Sequence, residues 1–370
     1  MIPYLSERFG NPSSLTHTEG REAREAVEAA RESVARLIGA ESSEIVFTSC
    51  ATESNNLAVK GSAWALREQG SRLVTTAVEH KSVLESCRWM AMEGFATSEV
   101  AVDGEGRVDP DGIAAALGEG TVLVSVMHAN SEVGTIQPVE RVGALCRERG
   151  VRFHVDAAQS VGRIPVDVAA IGCDLLSLSG HKIYGPKGIG ALFVRRRLRI
   201  VPLLSGGGQE KGRRSGTLDV AGIVGLGTAC RLASERLAAD AARILALRER
   251  LHAGLVREVP GILLNGPLAG RLPGNLNVSF EDVDGQALIQ DLEDVSVSSG
   301  SACAAGSTDP SYVLIAMGRT PEQAYGSVRF GVGRGNTEAD IDTAVGAITR
   351  SARRLRALST RVLPPPPGQA

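Results

Sequence analysis

Apolar positions at Val27, Ala30, Val34, Leu37 and Ile38 recur at helical spacing, predicting a helix of about six turns. Thr16 and Glu19 supply a capping-box pattern at its start. A β-branched and aromatic run, Ile45 to Thr48, then reads as a strand, followed by a polar turn and a helix from about Asn55 to Glu68. The same alternation returns twice. Leu73 to Thr76 precedes a helix near Ser82 to Glu93, and Thr121 to Met127 precedes one near Val139 to Arg149. Asp109-Pro110 has the form of an N-cap followed by proline in the first turn. Further strands are predicted at Arg152 to Val155, Leu175 to Leu178 and Ala191 to Val194. Alternating strands and helices imply an α/β domain with a mostly parallel sheet covered on both faces, and ligands then bind beyond the carboxyl ends of the strands.

Beyond Val220 the pattern is almost continuously helical to Glu258, broken by Pro260-Gly261. A different mix follows: a strand near Asn275 to Phe280, a helix near Asp284 to Leu292 and a strand near Val295 to Ser298. We therefore expect a large domain over 1–240, a smaller α/β domain over 241–358 and a solvated proline-rich tail over 359–370.

Composition narrows the chemistry. A net charge of -2 gives no basic field for a nucleic-acid backbone, so a small-molecule substrate fits better. The six cysteines form no C-x-x-C pair, which signals neither a zinc site nor a disulfide framework and suits a reducing, cytoplasmic setting. No apolar run approaches the ~20 residues of a membrane span. Only five residues are lysines, which leaves few candidates for imine chemistry.

One of them, Lys182, follows the predicted strand Leu175 to Leu178 within Ser179-Gly180-His181-Lys182. A lysine at a strand's carboxyl end can form an imine with an aldehyde cofactor and serve as a base once displaced, or it can be a plain surface lysine. Asp156 ends another strand; it suits the pyridine nitrogen of pyridoxal 5′-phosphate, which needs an acidic partner, and equally suits a helix cap. Cys50 to Asn56 is a polar turn whose backbone N–H groups and Thr52 hydroxyl could hold a phosphate or simply cap a helix. Glu79-His80 offers an imidazole that could stack on a cofactor ring or serve as a structural histidine.

The runs Phe47 to Ser54, His154 to Ser160, Ser179 to Gly188 and Arg214 to Thr217 resemble the cysteine desulfurases of the NifS/IscS type, from about Phe9 to Leu358. That resemblance implies the α/β fold type I of pyridoxal-phosphate transferases, with a large domain, a smaller C-terminal domain and a homodimer with shared sites. It implies that Lys182 holds the cofactor, Asp156 pairs with its ring nitrogen and Gln159 bonds its ring hydroxyl. Ala51, Thr52, Ser179 and His181 would hold the phosphate, joined by Thr217 of the neighbouring subunit. His80 would stack on the ring and relay protons, and Arg329 would clamp the carboxylate of L-cysteine.

Cys303 decides the subclass. It stands in a run of small residues, Ser298 to Ser307, whereas four other cysteines lie within or beside apolar elements. The resemblance makes it the thiol that receives sulfur as a persulfide and passes it to an acceptor protein, in iron–sulfur assembly, tRNA thiolation or DNA sulfur modification. Asn130-Ser131 stands where the family has two asparagines, so a serine hydroxyl would replace part of a substrate or cofactor contact. The family also carries an extra leading segment with an Ala-Thr-Thr turn near the substrate. Without it, the chain is expected to bind cofactor yet turn over slowly. Selenocysteine lyase activity, another class-V reaction and a cofactor-binding scaffold are the alternatives. Gly185-Pro186-Lys187-Gly188 and Gly206-Gly207-Gly208 lack the glycine fingerprint of a dinucleotide fold.

Overall fold

The computed structural model describes residues 1–299 and 309–359. Its residues divide into two compact units, the first made of Met1–Ala101, Arg107–Asn130 and Ile136–Leu237 and the second of Val102–Gly106, Ser131–Thr135 and the chain from Ala238. Cys303 and the proline-rich end lie outside the described residues.

The first unit is built on a seven-stranded sheet. Its strands are β1 (Ile45–Thr48), β2 (Arg72–Thr76), β3 (Ala96–Val100), β4 (Thr121–Met127), β5 (Arg152–Asp156), β6 (Leu175–Ser179) and β7 (Gly190–Val194), in the order β1-β7-β6-β5-β4-β2-β3. Five strands from β3 to β6 run parallel, and β7 is antiparallel to both of its neighbours. Strands that face helices on both sides need apolar residues on both, and β1, β4, β5, β6 and β7 are buried along nearly their whole length. The edge strand β3 reads Ala-Thr-Ser-Glu-Val and is half exposed, too polar for an apolar pattern to reveal it.

The helix predicted after Thr16 spans Thr18–Leu37, with Val27, Ala30 and Val34 buried. His17 caps it, its Nδ1 accepting the Gly20 N–H at 3.1 Å, so the Thr16–Glu19 box is not the cap. The second helix begins at Ala51 and ends at Ala65, earlier at both ends than predicted. Side chains of its polar first turns bond locally: Asn56 Nδ2 donates to the Thr52 carbonyl, and Glu53 accepts the Ser49 N–H at 2.7 Å. Asp109 does cap the helix Pro110–Ala116.

The second unit holds a four-stranded sheet in the order β10-β11-β9-β8, all neighbours antiparallel. Here β8 is Ile262–Asn265, β9 Asn275–Phe280, β10 Ser298–Ser299 and β11 Ser327–Gly331. Of the strand expected at Val295 to Ser298, the described residues that pair with β11 are Ser298 and, one position beyond it, Ser299. Leu276, Val278, Phe280, Val328 and Phe330 pack with Leu247, Leu251 and Leu255 of the helix Val220–Glu258 and with Ile341, Val345, Ile348 and Ala352 of the helix Glu338–Ser359. Those spacings of three and four residues put one stripe of each helix against the sheet.

Candidate active site

Register sets the site. β5 pairs parallel with β6, aligning Asp156 with Ser177, and the N–H of Ala157 bonds the Ser177 carbonyl at 3.0 Å. Asp156 therefore leaves the sheet at the carboxyl edge from which Ser179, His181 and Lys182 emerge. The segment Gly180–Ile183 winds one short 3-10 turn directly after β6, and Arg163 donates to the Lys182 carbonyl at 3.3 Å. Tyr184 ends that turn at φ 64°, a left-handed backbone that turns the chain back toward β7.

The start of the helix Ala51–Ala65 is brought to the same edge by a close backbone approach. Gly190 pairs with Ser179 on one side and Thr48 on the other. A Cβ there would stand 2.7 Å from the Leu178 carbonyl oxygen and 2.8 Å from the Cys50 carbonyl carbon, so only glycine permits the approach. Cys50 gives this helix no side-chain cap, which leaves its first-turn N–H groups to an outside acceptor. Thr52 is exposed in that turn, and at the end of β6 Ser179 Oγ lies 3.0 Å from His181 Nδ1. Burial, then the charges of Lys182 and Lys187, keep the His181 pKa below the ordinary imidazole value.

Beneath this edge the polar side chains are held. Asp156 Oδ1 accepts the Ala158 N–H at 3.0 Å, and Oδ2 accepts Asn55 Nδ2 at 2.7 Å. His154, two residues earlier on the same face of β5, is fully buried between the hydroxyls of Ser125 and Ser177, at 2.8 and 2.9 Å. Burial pushes its pKa down to about 3, so it is a neutral structural imidazole. His80 caps the helix Lys81–Met92, with Nδ1 accepting the Ser82 N–H at 3.1 Å and lying 2.7 Å from Ser82 Oγ. Its neighbour Glu79 is buried, and Oε1 accepts Thr76 Oγ1 at 2.7 Å and the Met127 N–H at 2.8 Å. Burial pushes the Glu79 carboxyl up to about 8; the two hydrogen bonds oppose this and Asp156 adds to it.

The residues expected in the site thus stand as follows. Ala51, Thr52, Asp156, Ser179, His181 and Lys182 share one sheet edge, with half-buried Gln159 in the turn after β5. Asn130 is buried, and its amide reaches the Val78 carbonyl at 3.0 Å, tying down the loop that carries His80. Thr217 is exposed, next to Gly216 at φ 118°. In the second unit, Arg329 on β11 donates to the Ser131 carbonyl at 2.9 Å. Arg329 pairs in register with Ser298, and the described chain stops one residue later at Ser299.

Three members escape a reading by motif. Asn55, Ser82 and Glu79 are buried polar residues, and only the period-two and period-four placement of their neighbours hints at an inward aim. Arg214 pairs with Glu53 at 2.9 Å; burial raises that carboxyl, and Arg214 with the Ser49 N–H outweighs it and holds the pKa low. The donor set fits pyridoxal phosphate: an uncapped helix start with nearby hydroxyl and imidazole for a dianion, and a buried carboxylate held by two N–H donors for a cationic ring nitrogen.

Comparison with known proteins agrees with this chemistry. The class-V aminotransferase family model matches residues 1–344. The cysteine desulfurase IscS of Anaeromyxobacter sp. (strain Fw109-5) is 53% identical over 361 residues, covering 97% of this chain and 89% of the relative. A NifS-like protein of known structure superposes with a TM-score of 0.88 at 39% identity, over 94% of this chain and 93% of that one. SspA, solved in complex with cysteine, is 37% identical with a TM-score of 0.79, over 90% of this chain and 93% of its own.

Proposed function

The chain belongs to the class-V aminotransferase family and, within it, to the cysteine desulfurases, and from that premise we propose that it moves sulfur from L-cysteine onto Cys303 with pyridoxal phosphate at Lys182. The observation that carries the reading is the common sheet edge shared by Asp156, the Ser179 to Lys182 turn and the uncapped helix start at Ala51. The bound cofactor supplies an electron sink for charge developing at the substrate α-carbon, provided its ring nitrogen stays protonated.

The residues around it do the rest. Asp156, its carboxylate oriented by Asn55 and the Ala158 N–H, holds the proton on the ring nitrogen. Gln159 bonds the ring hydroxyl. Ala51, Thr52, Ser179 and His181 hold the phosphate, and Thr217 of a second copy completes it in a homodimer. Lys182 would hold the cofactor, and its Nζ, when free, would take the α-proton of cysteine and return it to the same carbon as alanine forms. Arg329 orients the substrate carboxylate, with Asn130 and Ser131 shaping that end of the site. His80 moves a proton at its Nε2. The thiolate of Cys303 attacks the substrate sulfur; the carbon–sulfur bond breaks, a sulfur–sulfur bond forms, and the electrons left at the β-carbon are quenched by a proton to give alanine. The persulfide then passes to an acceptor protein.

Two variants test the reading. Lys182→Ala removes the visible absorption of lysine-linked cofactor and abolishes alanine release. Cys303→Ser keeps the cofactor spectrum and its response to cysteine, yet gains no sulfur by intact-protein mass and makes almost no alanine. Wild-type alanine release from Cys303→Ser defeats the persulfide route.

A further inference from the structure

Between the carboxylate that faces the ring nitrogen and the imidazole beside the ring runs a continuous line of hydrogen bonds, all within the first unit. Asn55 Nδ2 donates one proton to Asp156 Oδ2 at 2.7 Å and the other to Ser82 Oγ at 2.8 Å. Ser82 Oγ in turn lies 2.7 Å from His80 Nδ1. Asn55 is fully buried, and Asp156 and Ser82 nearly so.

The direction of each bond follows from donor and acceptor capacity. A carboxylate only accepts, so the amide group that faces Asp156 must be the NH2. Both amide protons are then committed, and Ser82 Oγ receives one. Its own proton has to point away from Asn55, toward His80 Nδ1. That nitrogen also accepts the Ser82 N–H at 3.1 Å, so the proton of the neutral ring resides on Nε2. The Oδ1 of Asn55 is buried without a hydrogen-bond partner, a cost that a residue present only for packing would not need to carry.

We propose that Asn55 is a positioning residue that transmits the charge of Asp156 through Ser82 to His80, holding the imidazole in its Nε2–H form. The assignment rests on the reading of Asp156 and His80 as cofactor neighbours. The charged side chains around this line are Asp156 on β5, Glu79 and Lys81 beside His80, and Glu53, which is paired with Arg214 in the helix that carries Asn55. Asp156 is the one hydrogen-bonded to Asn55. Taking away the donated protons weakens the hydroxyl's commitment to Nδ1 and lets that nitrogen take a proton, so His80 becomes more basic.

The test labels histidine with ¹⁵N and follows His80 by NMR, with and without cofactor, in wild type, Asn55→Leu and Ser82→Ala. Wild type is expected to give the Nε2–H tautomer. Each variant is expected to raise the His80 titration midpoint by about 0.5–1 pH unit, the scale of one net hydrogen bond, with a matching shift of the pH profile for alanine release. An unchanged midpoint in Ser82→Ala, which keeps the Asn55 bond to Asp156, overturns the proposal. So does a shift in Ser82→Ala with none in Asn55→Leu, which would leave Ser82 acting alone. Should Asn55→Leu fail to fold, Asn55→Ser, which is too short to bridge Asp156 and Ser82, takes its place with the same expected shift. If the cofactor binds without perturbing the His80 signals in any variant, the functional reading of His80 fails instead, whatever its tautomer.

Discussion

Glu79 is a fully buried carboxyl without a stated role in the cycle. Its carboxyl is held up to about 8 by burial, against about 4.3 in an unfolded chain. Between those values the folded protein keeps a proton that the unfolded chain has released. The stability tied to that proton is whole below about pH 4.3 and is lost progressively as pH rises through about 8. Glu79→Gln retains an acceptor for Thr76 and Met127 but cannot titrate. The melting temperature of the variant is therefore expected to gain on wild type as pH rises from 5 to 8, by roughly 2–4 °C for each kcal/mol. A constant difference across that range would mean that Glu79 is ionised in the folded state. Neither the raised pKa nor the contact with Met127 is legible in the Glu79-His80 pair, because the first comes from burial in the folded core and the second from a residue 48 positions further on.

At the scale of elements, the site depends on how closely β7 lets the helix start at Ala51 approach β6. Gly190 is the contact point, and its added Cβ would meet backbone on two sides. Gly190→Ala should force the strands or the helix start to move, lowering stability by about 1–3 kcal/mol. Because the same shift displaces the phosphate-facing N–H groups, cofactor affinity should fall about tenfold, the equivalent of about 1.4 kcal/mol. Cofactor titration of the apoprotein and thermal melts measure both; wild-type affinity in the variant would separate the close approach from phosphate binding. Most elements were legible from apolar periodicity, since β1, β4 and β6 are mainly apolar runs and β5 and β9 alternate apolar with polar residues. The polar edge strand β3 and the helix start at Ala51 were not, because pairing or local side-chain bonds form them, with little apolar pattern.

For the whole molecule, the testable point is whether one site draws on two chains. Thr217 is exposed on its own protomer, as a residue serving a second copy would be. A dimer of one Lys182→Ala chain and one Thr217→Val chain distinguishes the cases. With Thr217 acting across the dimer, the intact Lys182 meets an intact Thr217, and half the sites recover wild-type cofactor affinity. With Thr217 acting within its own chain, no site is intact and the mixed dimer stays impaired. Differently tagged, co-purified chains titrated with cofactor give the answer.

The residue types and their order along the chain already determined the α/β alternation, the burial of four cysteines as small apolar side chains, and the lysine and acid at successive strand ends. Those follow from local spacing and from which side chains water excludes. The tertiary structure alone decided what each polar side chain bonds. Asn55 and Asp156 are 101 positions apart and Arg329 and Ser131 are 198 apart, so only folded strand order and register bring them together. Hydrogen bonds act over about 3 Å, and a one-dimensional pattern holds no information at that range until the chain is packed.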